Sequence, residues 1–387
     1  MERRVAIVGV GDVELEKGYV VGGLTELEIQ AVAAKRALED AGLTHRDVDG
    51  LFVTGDWGLP GPGLMMGVAV SDYLGLYPRY VDTSNIGGAA FEAMVGHAAA
   101  AIHAGYCQVA LICYGSIQKS RKSRNLAGRP PVLMQQFETP FGLPSPIGGY
   151  ALAATRYLHE FGAREEDLAE VAVNIRRWAE LNPQATLRTP ITVEDVLNSP
   201  MICSPLHLLD CCLVTDGGGA IVLTSAERAR DCRNRPIWIL GYGEAYDHIV
   251  MASMHDLTHP PAYAASVQAF SRAGIRPEDL EFAEIYDSFT ITVMLTVEAL
   301  GLCEKGQGWE FFHNGRTAPG GEFPINTNGG GLAYAHPGMY GIFLLIEAAR
   351  QMWRRGGVRQ IPKASLGVTA GTGGSLSSSA VVLLGVD

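Results

Sequence analysis

Two stretches carry the residue types that could do chemistry. Glu284-Ile285-Tyr286-Asp287-Ser288-Phe289-Thr290 reads as a strand ending in polar residues. Asn326-Thr327-Asn328-Gly329-Gly330-Gly331 reads as a glycine-rich turn. It leads through His336-Pro337-Gly338-Met339-Tyr340-Gly341 into an apolar helix at Ile342–Ala349. Together they offer Tyr286, Asp287, His336, Tyr340 and the backbone N–H groups around Gly330. Phenol, imidazole and backbone donors aimed at one point are equipment for holding a developing oxyanion. Each residue also has a plainer reading. Tyr286 and Tyr340 could pack, His336 could bond backbone in the turn before Pro337, and Asp287 could cap a helix.

The elements that must position these residues follow a repeated plan. Val5–Val10 reads as a buried strand closed by Gly11. The run Gly9-Val10-Gly11-Asp12-Val13-Glu14 does not complete a dinucleotide fingerprint. A helix over 25–41 with apolar residues at helical spacing ends at Gly42, and a strand follows at Gly50–Val53. Ile237-Trp238-Ile239-Leu240-Gly241-Tyr242-Gly243 repeats the opening strand. Ala273-Gly274-Ile275-Arg276-Pro277-Glu278-Asp279-Leu280 repeats Ala41–Val48 at the same interval. Two copies of a strand–helix–strand unit predict two similarly folded α/β halves. In the first half, Val81–Gly88 leads into a small-residue helix over 89–104, and Val109–Cys113 reads as a central strand. The predicted organisation places the first part of the N-terminal half at 1–118 and an inserted loop domain at 119–204. The last strands of that half fall at 205–232, and the C-terminal half at 233–387.

Composition narrows the class. The chain has 387 residues, 47% hydrophobic, with a formal net charge of −11. An acidic chain does not neutralise phosphates, which argues against nucleic-acid binding. No apolar run approaches the ~18 residues of a membrane span, and no signal-peptide pattern opens the chain. Seven cysteines without CxxC spacing argue against a disulfide scaffold or a zinc site, and a reducing cytoplasm is the expected compartment. The histidines show no metal spacing. His255 and His259 are four apart, but Pro260-Pro261 follows them. Cys211-Cys212 read as core.

A specific series of motifs then appears in order. It runs Arg156-Tyr157-Leu158-His159-Glu160-Phe161-Gly162, Asn182-Pro183-Gln184-Ala185, Thr192–Leu197, Pro205–Asp210, Asp216-Gly217-Gly218-Gly219-Ala220, and finally Asn326–Gly331 with His336-Pro337. With the two-half repeat, these resemble the thiolase superfamily in its sterol-carrier-protein-type branch, over essentially the whole chain. The resemblance implies two βαβαβαββ halves in a five-layer αβαβα sandwich, with a loop domain over the site. It implies a homodimer, and a CoA thioester as substrate with no tightly bound cofactor. The basic run Lys119–Arg124 is then a candidate for the CoA phosphates, or an ordinary solvated loop. Tyr246 is a candidate for the substrate cleft.

The sequence departs from the thiolase pattern at both sulfurs. Where the family carries a nucleophilic Cys, the stretch reads Ser84-Asn85-Ile86-Gly87-Gly88, so Asn85 or Ser84 stands there. Gly371 stands where the second, basic Cys would be. Tyr286 takes the place of the branch's His before Asp287-Ser288-Phe289. This pattern resembles the lipid-transfer-protein-type aldolases that cleave steroid side-chain CoA esters. Those work in complex with a small OB-fold and zinc-ribbon protein; this chain differs in keeping His336. The expected reaction is retro-aldol cleavage of a β-hydroxyacyl-CoA, which needs a base and an oxyanion site but no nucleophile. Tyr286, His336 and Tyr340 are the expected catalytic groups. Asn85, Ser84, Asp287, Tyr246 and Gly330 are expected at the substrate. A thiolase-like acyltransferase and a non-catalytic acyl-CoA or lipid binder are the alternatives.

Overall fold

The computed structural model describes residues 4–55, 65–122 and 132–387. Arg124 of the basic run and residues 129–131 of the loop expected at 129–149 lie outside them. The first half comprises strand β1 (Val5–Asp12), helix α1 (Glu26–Ala41), strands β2 (Gly50–Val53) and β3 (Tyr80–Thr83), helix α2 (Ala90–His103) and strand β4 (Val109–Ser116). Helices α3 (Ile147–Phe161) and α4 (Glu165–Glu180) follow, and strand β5 (Gly217–Ser225) returns to the first half. The second half comprises β6 (Ile237–Tyr246), α5 (Ala262–Ala273), β7 (Phe282–Ile285), α6 (Thr290–Ala299), α7 (Gly341–Met352), β8 (Leu366–Gly373) and β9 (Ser378–Gly385).

The repeat read from sequence is a repeat of packing. A Cβ on Gly9 would lie 2.2 Å from the Ala37 carbonyl oxygen, and one on Gly241 would lie 2.2 Å from that of Ala269. Each opening strand therefore needs glycine so that its helix can lie against it. Both strands carry a register shift at the same place, between Ile7 and Gly9 and between Ile239 and Gly241. Helix α1 starts at a reciprocal cap, in which the Glu28 carboxylate accepts the Thr25 N–H at 2.8 Å. Both helices stop at a left-handed glycine, Gly42 (φ 76°) and Gly274 (φ 67°).

The strands form one sheet of nine in the order β7-β8-β9-β6-β1-β5-β4-β2-β3. The halves join where β1 meets β6 antiparallel, at Ala6–Trp238 and Ile7–Ile237. Helix α1 packs on β1, β5 and β4 of its own half, and α5 packs on β6 and β9 of the other. Helices α2 and α7 touch each other and strands of both halves. They form the middle layer, which gives the expected five-layer αβαβα order. Burial explains why they read as apolar throughout: α7 has Ile342, Phe343, Leu344, Leu345 and Ile346 all within 1% exposure. Helices α3 and α4 pack against α6. From the end of α4, the Asn182 amide donates to the Asn328 carbonyl at 2.8 Å, so this layer braces the glycine-rich turn. No helix among the described residues is long and apolar enough to cross a membrane.

Candidate active site

Tyr286 follows β7, and its N–H donates to the Ala370 carbonyl at 2.9 Å, in line with the β7–β8 ladder. The glycine-rich turn is fastened beside it by Asn326. That side chain accepts the Ile285 N–H at 2.7 Å and donates to the Ile285 carbonyl at 2.8 Å, imitating a neighbouring strand. The turn itself is a single π-helical turn at Gly330–Tyr334. Asp287 accepts the N–H groups of Gly331 at 2.7 Å and Leu332 at 3.1 Å. A Cβ on Gly330 would lie 1.9 Å from the Asp287 carboxylate, so glycine is required there (φ 62°). Asp287 and Gly330 are therefore committed to the turn rather than to the cavity wall. Burial pushes the Asp287 carboxyl up to about 6, against bonds that favour its charge. Asp287→Asn turns an amide donor toward one of those N–H groups. The expected outcome is a loss of ~1–3 kcal/mol in urea unfolding together with reduced turnover.

Beyond the turn, His336 is set by its own N–H, which donates to the Thr215 hydroxyl at 2.9 Å. Its imidazole Nε2 lies 2.8 Å from the Tyr286 hydroxyl. The Tyr340 N–H donates to the same hydroxyl oxygen at 3.2 Å. With that oxygen accepting from Tyr340, the phenol proton is placed to donate to Nε2 in the Nδ1-protonated tautomer. The Tyr286 ring meets those of His336 and Tyr340 edge-on, with centroids 5.6 and 5.8 Å apart. The Tyr340 hydroxyl points elsewhere. It donates to the Asn328 side-chain oxygen at 2.7 Å, so of Tyr340 it is the backbone N–H that reaches the Tyr286 hydroxyl.

Tyr286 and His336 wall an inner cavity of about 60 Å³ with Gly88, Tyr150, Cys212 and Gly338. Burial pushes the Tyr286 phenol well above its ordinary value and lowers the His336 imidazole to about 4. At neutral pH the pair is an uncharged phenol and an uncharged imidazole. Gly88 leads into α2 and Gly338 leads into α7, so two helix N-termini converge on this space. Their first-turn N–H groups and dipoles favour an anion there.

The other expected residues are placed as follows. Asn85 is not in the inner cavity. It lines an adjoining outer cleft of about 290 Å³ with Tyr246 and His248. Its side chain accepts the Gly87 N–H at 3.2 Å and shapes the turn into α2. The residue of that stretch that meets Tyr286 is Gly88, three positions on, and Gly87 and Gly374 border both spaces. The Ser84 hydroxyl donates to Asp82 at 2.9 Å. A side chain at Gly371 would meet Glu92 of α2. Lys119 donates to the Lys17 carbonyl at 2.5 Å and Arg121 pairs with Glu26 at 2.6 Å, so both basic groups are engaged within the fold.

Tyr150 and Thr372 were not singled out in the sequence, and Cys212 was read there as core; all three line the cavity. Tyr150, from the start of α3, donates to the Gly374 carbonyl at 2.8 Å. Thr372 of β8 also lines the space. Cys212 brings a thiol beside Tyr286. Burial raises that thiol well above its usual value, so it stays protonated and is a poor nucleophile. Only the position of Cys212 just before the Asp216–Ala220 motif could have hinted at it.

Residues 243–386 match the family model described as thiolase C-terminal domain-like. The chain is 36% identical to the steroid side-chain-cleaving aldolase of Thermomonospora curvata, over 99% of this chain and 98% of that one. It is 37% identical to the 17-hydroxy-3-oxo-4-pregnene-20-carboxyl-CoA lyase of Mycobacterium tuberculosis, over 96% and 97%. A solved structure of the Ltp2-ChsH2(DUF35) aldolase superposes with a TM-score of 0.89 at 32% identity, covering 100% of this chain and 98% of that one. A repeated α/β fold, a cavity at the N-termini of its two central helices and full-length similarity to these proteins converge: the chain belongs to the thiolase superfamily, in its sterol-carrier-protein-type branch.

Proposed function

We propose that this protein cleaves a carbon–carbon bond of a β-hydroxyacyl-CoA by a retro-aldol reaction. The observation that carries the reading is the uncharged Tyr286–His336 pair, 2.8 Å apart, in a cavity whose one thiol is held protonated. The substrate's β-hydroxyl gives its proton to the Tyr286 oxygen while the Tyr286 proton passes to His336 Nε2. The C–O bond becomes a carbonyl and the Cα–Cβ bond breaks. Its electron pair moves into the thioester, whose oxygen becomes an enolate facing the two helix N-termini. The relay avoids a free phenolate, which burial disfavours. The imidazolium forms as the enolate charge appears, so each stabilises the other. Tyr340 acts through its N–H, which orients the phenol.

The inner cavity of about 60 Å³ holds only the reacting atoms, so the rest of the substrate extends through the outer cleft past Asn85 and Tyr246. By analogy with the aldolase and lyase relatives, we assign a steroid or lipid acyl chain to this extension. We further propose a homodimer, with a second, OB-fold and zinc-ribbon subunit completing a heterotetramer. A cytoplasmic setting fits its cysteines, none of which is paired. Incubation with a β-hydroxyacyl-CoA, with and without that subunit, tests the reaction. A ketone or aldehyde plus a shortened acyl-CoA is expected. Acyl transfer to free CoA without those products contradicts it.

The His336 assignment has a pH consequence. The unfolded histidine takes up a proton near pH 6.5, the folded one only at about pH 4. The unfolded state therefore binds more protons between these values, and stability falls as pH drops through that window, by roughly 3 kcal/mol in total. Urea titrations at pH 7 and pH 4.5 should differ in this direction, and His336→Gln should flatten the difference. The kcat/KM profile should show no inflection near 6.5 from this residue.

A further inference from the structure

Glu92 is an acid that this scheme leaves unused. It lies in the first turn of α2, four residues after Gly88 of the cavity wall. It is 0% exposed, and neither carboxyl oxygen has a hydrogen-bond partner among the described residues. Glycines surround it. A Cβ on Gly371 would lie 2.3 Å from its Oε2, and one on Gly341 would lie 2.4 Å from the same atom and 2.4 Å from the Gly88 carbonyl. The carboxyl thus occupies the junction where the first turns of α2 and α7 meet β8, against Gly341 and Gly371. The Gly88 carbonyl flanks the same Gly341, Gly371 precedes Thr372 in β8, and Gly88 and Thr372 both line the cavity. Gly88 and Gly371 interpose no side chain of their own. Leaving a buried polar group without a partner costs ~1–3 kcal/mol, and packing alone would be served by leucine. Burial pushes this carboxyl well above its ordinary value, so it keeps its proton at neutral pH. A donor without an acceptor in the resting site points to an acceptor that exists only during turnover.

We propose that Glu92 supplies the proton that converts the enolate into the released acyl-CoA. This rests on the retro-aldol reading of the same site and assigns its second half. The Glu92 O–H bond breaks and the proton bonds to Cα. The enolate double-bond pair forms that C–H bond, and the oxygen returns to a thioester carbonyl. Glu92 is left as a carboxylate and His336 as an imidazolium. When the products leave, solvent takes one proton and returns one, so no other reactant is consumed.

Exchange of the Cα hydrogens of propionyl-CoA with D2O reads this step without any C–C cleavage. The wild-type protein, with its partner subunit if one is required, is expected to catalyse exchange. Glu92→Gln is expected to lose ~10²-fold or more of it, with an unchanged Kd for propionyl-CoA. Unchanged exchange in the variant, no exchange in the wild type, or exchange and binding falling together would each overturn the assignment. If Glu92→Gln does not fold, Glu92→Ala with added acetate serves. Restored exchange supports the role, and absence of rescue overturns it. Glu92-dependent exchange without cleavage of any β-hydroxyacyl-CoA refutes the retro-aldol reading and leaves to Glu92 only proton transfer to an enolate at this site. Cleavage with exchange indifferent to Glu92 leaves that reading standing and overturns the assignment.

Discussion

Tyr286→Phe is expected to lower kcat by about 10²–10⁴-fold while KM stays near its wild-type value. The phenol meets both His336 and the Tyr340 N–H, at 2.8 and 3.2 Å. Without it the β-hydroxyl proton has no path to the imidazole. The effect falls on the transition state because the proton moves only as the Cα–Cβ bond breaks. The change removes one oxygen and leaves two buried partners short of a bond, at a cost of ~1–3 kcal/mol. That is small enough for the fold to survive, and circular dichroism with a urea midpoint checks it. Steady-state rates within a few-fold of wild type would show that the phenol only packs.

Gly88→Ala is expected to be nearly as damaging, by a different route. A Cβ there would lie 2.1 Å from Cε2 and 2.4 Å from Cζ of the Tyr286 ring, and 2.6 Å from the Thr372 carbonyl oxygen. The carbonyl belongs to β8 and the ring is held between His336 and Tyr340, so neither yields freely. Relieving the overlap moves the hydroxyl away from Nε2. A displacement near 1 Å costs about 10²-fold in rate, and the overpacking costs ~1–3 kcal/mol. If the damage acts through the phenol, Gly88→Ala combined with Tyr286→Phe should be no slower than Tyr286→Phe alone. Fully multiplied losses in the double variant would mean that Gly88 contributes separately.

The parts of this site that were legible in the sequence are those written in local spacing. The paired Gly9 and Gly241, with Ala41 and Ala273 behind them, disclosed two halves because one packing problem was solved twice with the same residues. Tyr286 stood out in a strand ending in polar residues and His336 in the turn before Pro337, and they do meet. What stayed hidden depends on how the chain crosses itself. Asn85 and Gly88 lie three residues apart, but the Gly87 turn (φ 73°) sends one to the outer cleft and the other to Tyr286. Tyr150 and Cys212 reach the cavity from distant segments through contacts that no local pattern encodes. Tyr340 reaches Tyr286 through its backbone N–H, presented by the start of α7, while its hydroxyl bonds Asn328, a division that no residue type announces. Glu92 lies unmarked within the small-residue helix, and its burial comes from glycines contributed by distant segments.

The central claim is that bonds are cleaved here through an enolate and not through an acyl-enzyme. Intact-protein mass spectrometry of samples acid-quenched during steady-state turnover of a β-hydroxyacyl-CoA tests it most directly. The account predicts an unmodified chain mass at every time point while the carbonyl product and the shortened acyl-CoA accumulate. A mass increase equal to an acyl group, mapping to Cys212 and lost in Cys212→Ala together with turnover, would contradict it.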